Sequence, residues 1–213
     1  MKKIPTLFER KYISNCVVET LPIVTKGMEW VLNGDGVATV KFDGSCCAII
    51  NGEFYKRYDA KNGKPVPKGA IKCQEKADPI TGHFPCWVKV DDKKPEDKWF
   101  IEAYKNAIDA GKIETTNSGF ASGKISEHRE FIYPKMQDGT YEAIGVHFQG
   151  NPYNLRFDTI LKHGTITINV ERTFDGIKKY LSEHYIEGLV FWKDGIPQCK
   201  IKRSDFGFEW NSK

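Results

Sequence analysis

Three short segments of the chain carry groups that can act on a phosphate. Lys41-Phe42-Asp43-Gly44 sets an amine two residues before a carboxylate. Lys200-Ile201-Lys202 repeats an amine at alternate positions, and Glu187-Gly188-Leu189-Val190-Phe191 brings a carboxylate up to an apolar run. A lysine amine is a nucleophile only when deprotonated, and burial or a neighbouring cation disfavours its charged form enough to reach that state near neutral pH. Attack by such an amine on the α-phosphate of a nucleoside triphosphate gives a lysine–nucleotide phosphoramidate and releases pyrophosphate. That transfer asks a protein mainly for positioning and for positive charge around the phosphate oxygens. Each segment has a plainer meaning alone. Asp-Gly favours a hairpin corner, Lys-x-Lys is a common solvated strand face, and Glu-Gly before an apolar run is a turn entering a buried strand. Their joint appearance, in this order, points to nucleotidyl transfer.

The elements that must hold these groups are mostly strands. Residues 37–42 and 48–55 read as strands around the Asp43-Gly44 turn, which leaves Lys41 at a strand end facing a cleft. The runs 188–192 and 198–202 flank Asp194-Gly195 and read as a closing hairpin, which sets Glu187 beside Lys200 and Lys202. On such a strand both lysines fall on one face, because side chains alternate. Further strands are expected near 140–146 and 165–170. Apolar residues at 100, 103, 104, 107 and 108, after Pro95 and before Gly111, predict an amphipathic helix. A second helix is expected from Thr173, a suitable N-cap, to about Glu183, with Phe174, Ile177 and Leu181 inward. Residues 112–130 are polar and rich in Gly and Ser and read as a surface loop.

Taken together, these segments resemble the covalent nucleotidyltransferase superfamily of polynucleotide ligases and capping enzymes. Lys41-Phe42-Asp43-Gly44 is similar to the nucleophile motif, Tyr141-Glu142-Ala143-Ile144-Gly145 to the third motif, Glu187-Gly188-Leu189-Val190 to the fourth and Lys200-Ile201-Lys202 to the fifth. The longer stretches Lys41-Phe42-Asp43-Gly44-Ser45-Cys46-Cys47 and His147-Phe148-Gln149-Gly150-Asn151-Pro152-Tyr153 resemble a narrower group, the small 5′-to-3′ RNA ligases of eukaryotes and some large viruses. The resemblance implies an α+β nucleotidyltransferase domain, an ATP-grasp-like ligase fold with antiparallel sheets around a nucleotide cleft, and an ATP-dependent RNA ligase. It implies that Lys41 takes AMP and that Arg57 contacts the nucleotide or the RNA 3′ end. Glu142 would accept hydrogen bonds from the ribose, and Lys200 and Lys202 would grip the α-phosphate, Lys202 also helping to lower the pKa of Lys41. Asp43 and Glu187 would serve magnesium, or manganese in its place, as hard oxygen ligands. The partners implied are RNA 5′-phosphate and 3′-hydroxyl ends. The adenine-stacking aromatic is open among Phe148, Phe157 and Phe174.

Length and composition agree with a compact enzyme. At 213 residues and 40% hydrophobic content, one domain over residues 1–213 is expected. Eleven residues follow Lys202, so a carboxy-terminal OB domain is not expected within them. A net charge of +4, from 32 basic and 28 acidic residues, is too weak to identify a nucleic-acid partner by itself. Arg57 and the lysines at 56, 61, 64, 68 and 72 lie in a Gly- and Pro-rich stretch expected to be a mobile loop, either solvated or touching RNA phosphates. Six cysteines without a C-x-x-C pair, no signal peptide and no long apolar span suggest a reducing intracellular compartment and no membrane partner. Cys73, His83 and Cys86 match no common zinc-finger spacing, and the two cysteines read as scattered core thiols. Cys46 and Cys47 must face opposite ways, one of them toward the core. Two other functions compete: a GTP-dependent capping guanylyltransferase, and a nucleotide- or RNA-end-binding protein without turnover.

Overall fold

Alternation along each strand decides which face is buried, and in this chain it divides apolar from charged residues sharply. The computed structural model describes residues 1–14, 16–61, 64–79, 81–110 and 136–210, without the side chains of Cys16 and Ala110. The strands are β1 (Phe8–Ile13), β2 (Cys16–Val24), β3 (Val37–Lys41), β4 (Ser45–Ile50), β5 (Glu53–Ala60), β6 (Ile71–Lys72), β7 (Phe84–Lys89), β8 (Gly139–Ile144), β9 (Thr159–Lys162), β10 (Thr167–Ile168), β11 (Gly188–Lys193) and β12 (Ile196–Lys202). The helices are α1 (Lys98–Ala110) and α2 (Phe174–Glu183). Among the described residues every pairing of these strands is antiparallel, with one isolated parallel bridge between Thr6 and Lys200, a mixed α and β structure compatible with the α+β class expected. The loop expected at 112–130 lies outside the described residues.

The chain forms two units, one of Met1–Lys3 and Asp43–His163, the other of Ile4–Phe42 and Gly164–Lys213. The first is a six-stranded sheet in the order β6-β7-β5-β4-β8-β9 with α1 on one face. Cys47, Ile49, Tyr141, Ala143 and Ile160 point to that face and pack with Ala103 and Ala107 of α1, joined by Phe54, Phe100, Tyr104 and Phe148. The ring of Phe54 stacks on Tyr104 at 4.7 Å. Residues one position away in the register, Cys46, Arg57 and Glu142, point to the other face. The division expected between Cys46 and Cys47 is therefore present, with Cys47 the core thiol.

The second unit holds a four-stranded sheet, β10-β3-β11-β12, and the two-stranded β1-β2 hairpin. Ala38, Val40, Leu189, Phe191, Cys199 and Ile201 are buried on one face of that sheet. Ile177 and Leu181 of α2 are buried as well, and Phe174 packs edge-on against Phe8 at 4.9 Å and Phe206 at 5.3 Å. Thr173 caps α2 as expected, its hydroxyl accepting from the Gly176 N–H at 2.9 Å. The β11-β12 hairpin turns at Asp194-Gly195, where both φ angles are positive, 53° and 71°.

Several sequence expectations change. The single strand expected at 48–55 is two, because Asn51 and Gly52 adopt φ of 52° and 74° and turn the chain into the β4-β5 hairpin. Asp43-Gly44 is not a hairpin corner. β3 pairs with β10 and β11, whereas β4 pairs with β5 and β8, so the chain changes sheets there. The strand expected at 165–170 is only Thr167–Ile168. Lys56 and Arg57 do not belong to a mobile loop but to β5. Lys56 points to the α1 face and ion-pairs with Asp97, which is fully buried and also accepts from the Asp91 N–H at 2.9 Å.

A buried ion pair is worth little against an apolar replacement, but removing one partner strands the other. Asp97→Ala is expected to lower the unfolding free energy by about 3 kcal/mol, read from urea denaturation. A loss under about 0.5 kcal/mol would mean that Lys56 escapes to solvent without cost.

Candidate active site

β3, β11 and β12 lie side by side, and their register puts Lys41, Gly188 and Lys202 in one row across the sheet. Val190 sits two residues along β11, opposite Thr39 and Lys200. Lys41, Lys200 and Lys202 therefore share the face opposite Val40, Leu189 and Ile201. Gly188 leaves the centre of the row open, and its backbone is packed too tightly for any side chain. A Cβ there would fall on the Ile201 carbonyl oxygen, well inside van der Waals contact.

Glu187, just before this row, is 3% exposed. Its Oε2 accepts from Lys41 Nζ at 2.5 Å and its Oε1 pairs with Lys202 Nζ at 2.8 Å. One carboxylate thus bridges the first and last lysines of the sequence pattern. Lys41 Nζ also donates to the Phe42 carbonyl at 3.3 Å. Lys200 is the neighbouring cation. Burial, then repulsion from Lys41 and Lys202, lowers its pKa from 10.5 to about 8.

A residue that sequence reasoning missed positions this group. The Asp205 carboxylate accepts from the Lys202 backbone N–H at 2.8 Å and from the Arg10 guanidinium at 2.5 Å. It lies in the short 3-10 helix Arg203–Phe206, with a polar neighbourhood that carries no periodic signal.

The remaining motif residues belong to the other unit. Glu142, 9% exposed, pairs with His163 Nε2 at 2.8 Å, and His163 Nδ1 meets Thr140 Oγ1 at 3.0 Å. Arg57 lies on the same sheet face as Glu142; its Nε donates to Asp59 at 2.9 Å and its Nη1 to the Met1 carbonyl at 3.3 Å. The Asp43 backbone N–H donates to the Tyr153 hydroxyl at 2.6 Å. At Gly44 a Cβ would collide with the Ala143 carbonyl oxygen, so glycine is required for close strand approach rather than for a turn. His163 and Tyr153 were not singled out as site residues in the sequence. Tyr153 does close the His147-to-Tyr153 stretch, and that stretch was the available signal.

The aromatic candidates separate by burial. Phe148 is a core residue, edge-on to Phe100 at 5.3 Å, and Phe174 packs with Phe8 and Phe206. Phe157 is 47% exposed. Among the described residues, no helix is long and apolar enough to cross a membrane.

A bridged carboxylate among three lysines is an arrangement that can receive a phosphate and present an amine to it. No protein-family model matches the chain. The chain is similar to RNA ligase 1 of Danio rerio. The two are 26% identical over an alignment 224 positions long, which covers 81% of this chain and 68% of that protein. This similarity supports a relationship to an RNA ligase.

With a pKa lowered to about 8 by burial, Lys200 should reach its limiting rate of modification by an acylating reagent just above that pH, whatever its absolute rate. Mass spectrometry of digests taken across a pH series reads this, and a Lys200 rate still climbing at about pH 10 would contradict the lowered pKa. The sign for stability follows from the same shift. The folded chain binds this proton less tightly than the unfolded chain, so Lys200 adds stability as pH rises from about 8 toward 10.5.

Proposed function

We propose that the protein is an ATP-dependent RNA ligase that works through a lysyl-AMP intermediate and an adenylylated RNA 5′ end, on a nucleotidyltransferase fold. The observation that carries this reading is Glu187 bridging Lys41 and Lys202, with Lys200 on the same sheet face. The similarity to RNA ligase 1 supports the choice of RNA as substrate.

In the first step the neutral Lys41 amine forms a bond from Nζ to the α-phosphorus of ATP as the bond to the pyrophosphate oxygen breaks, and the proton of the amine passes to solvent. Lys200 and Lys202 hold the α-phosphate oxygens where negative charge gathers. AMP then passes from Lys41 to the oxygen of an RNA 5′-phosphate, and a 3′-hydroxyl displaces AMP to seal the strand. Glu142 takes the ribose hydroxyls, and Arg57, anchored by Asp59, takes the nucleotide or the RNA 3′ end. Asp43 and Glu187 carry the hard oxygen donors that magnesium or manganese takes. Each Glu187 oxygen keeps lone-pair capacity beyond its lysine contact, so its donor chemistry fits such an ion. When bound, the cation offsets the charge of the triphosphate and the leaving pyrophosphate.

Lys200 supports a second assignment of the nucleophile, because it shares the sheet face of Lys41 and burial and the neighbouring lysines lower its pKa to about 8. Incubation with α-labelled ATP and magnesium, followed by denaturing electrophoresis, separates the two. Label is expected on the unaltered protein and on Lys200→Ala at a reduced rate, and none on Lys41→Ala. Label that survives Lys41→Ala and disappears from Lys200→Ala would move the nucleophile. Label from GTP instead of ATP would indicate a capping guanylyltransferase, and RNA binding with no label a non-catalytic end-binding protein.

Arg57→Ala is expected to keep self-labelling within a few-fold while joining of a 5′-phosphorylated RNA falls at least tenfold. Equal loss of both would place Arg57 in the first step.

A further inference from the structure

Strand pairing on the face of the six-stranded sheet opposite α1 assembles three dissimilar donors. Cys46 of β4 lies directly across from Glu142 of β8. His163 follows β9 and donates its backbone N–H to the Thr140 carbonyl at 3.0 Å, which sets it two residues along β8 from Glu142 on the same face. The Cys46 sulfur, a Glu142 oxygen and a His163 ring nitrogen all lie within 4.8 Å of one another.

A simple ion pair explains Glu142 and His163, whose atoms are 2.8 Å apart. It does not explain why a thiol completes the triangle; the second imidazole nitrogen is held by Thr140 Oγ1 at 3.0 Å, which fixes the ring. At 2.8 Å from the Glu142 carboxylate, Nε2 shares a proton with it, and once that proton leaves, with Nδ1–H donated to the Thr140 hydroxyl, the Nε2 lone pair is turned toward Glu142 and Cys46. This is the outer-shell arrangement that orients a metal-binding histidine. A thiolate, an imidazole and a carboxylate form the mixed donor set that zinc accepts with a fourth position left for water, and the sulfur selects against magnesium and calcium. Tetrahedral zinc spaces a nitrogen and an oxygen ligand by about 3.3 Å, so Glu142 and His163 need part by only about half an ångström. Cys73 and Cys86, the other thiols weighed for zinc, are engaged elsewhere. The Met1 amino group meets Cys73 at 3.2 Å, and Cys86 meets the Tyr58 carbonyl at 3.4 Å.

We propose that Cys46, Glu142 and His163 form a binding site for a thiophilic divalent cation of the zinc class. Binding releases to solvent the Cys46 proton and the proton shared by His163 Nε2 and Glu142, and forms bonds from the cation to the sulfur, to His163 Nε2 and to Glu142, with water in the fourth position. Occupancy removes Glu142 from the ribose, a consequence that rests on the nucleotide role proposed above; the metal site itself does not rest on it.

The test is titration of the full chain with Co2+, read by absorption. A near-ultraviolet sulfur-to-cobalt band with visible bands of tetrahedral intensity is expected at one equivalent, displaced by Zn2+, lost in Cys46→Ser and retained in Cys73→Ser. Lys41→Ala should give the same spectrum, so the readout stands whether or not the protein transfers nucleotide. Zinc-edge X-ray absorption on the unmutated, Zn2+-loaded protein should show one sulfur among nitrogen and oxygen neighbours. Absence of the cobalt band, its persistence in Cys46→Ser, or a zinc shell with no sulfur or several would overturn the proposal.

Discussion

Glu187 is a carboxylate almost wholly removed from water, and such a charge is tolerated only when cations and hydrogen bonds replace the solvent it has lost. Lys41 and Lys202 meet that requirement from the two strands flanking β11, one on each oxygen. The order of strands in the second unit is what makes this possible. β11 must lie between β3 and β12, Gly188 must lack a side chain, and the row must stay in register. A slip of β12 by one residue would turn Lys200 and Lys202 into the core and put Ile201 on the charged face.

The same rule organises the first unit. Cys47 and Tyr141 fill the layer beneath α1, and their immediate neighbours Cys46 and Glu142 face the other way. Apolar packing therefore fixes the polar groups indirectly. Each charged side chain is aimed by the buried residue beside it, and its own contacts only trim the position. His163 on Glu142 and Asp205 on the Lys202 backbone are examples of such trimming.

Legibility in the sequence followed local signal strength. The β11-β12 hairpin, α1 and the Thr173-capped α2 were readable because alternation, helical spacing and caps act over a few residues. The Asn51-Gly52 turn carried an equally strong signal, but the apolar run on both sides hid it. The role of Gly44 was not readable, because Asp-Gly looks the same whether it turns a hairpin or lets a strand press against Ala143. The contacts of Glu142, Lys56 and Lys202 with His163, Asp97 and Asp205 were equally hidden, since no short pattern links a strand residue to a partner supplied by another element. Clustering of Lys41, Glu187, Lys200 and Lys202 was legible only through the joint order of the motifs.

Lys41 and Glu187 are 146 residues apart in the chain, and the row they belong to closes at Lys202. Before β3 can pair with β11, the segment from Asp43 to His163 must be laid out, since it leaves and rejoins the second unit between β3 and β10. Closing so long a loop is entropically expensive and kinetically late. On the ribosome the first lysine therefore emerges long before its carboxylate. The charged row can be complete only once synthesis has passed Lys202 of β12.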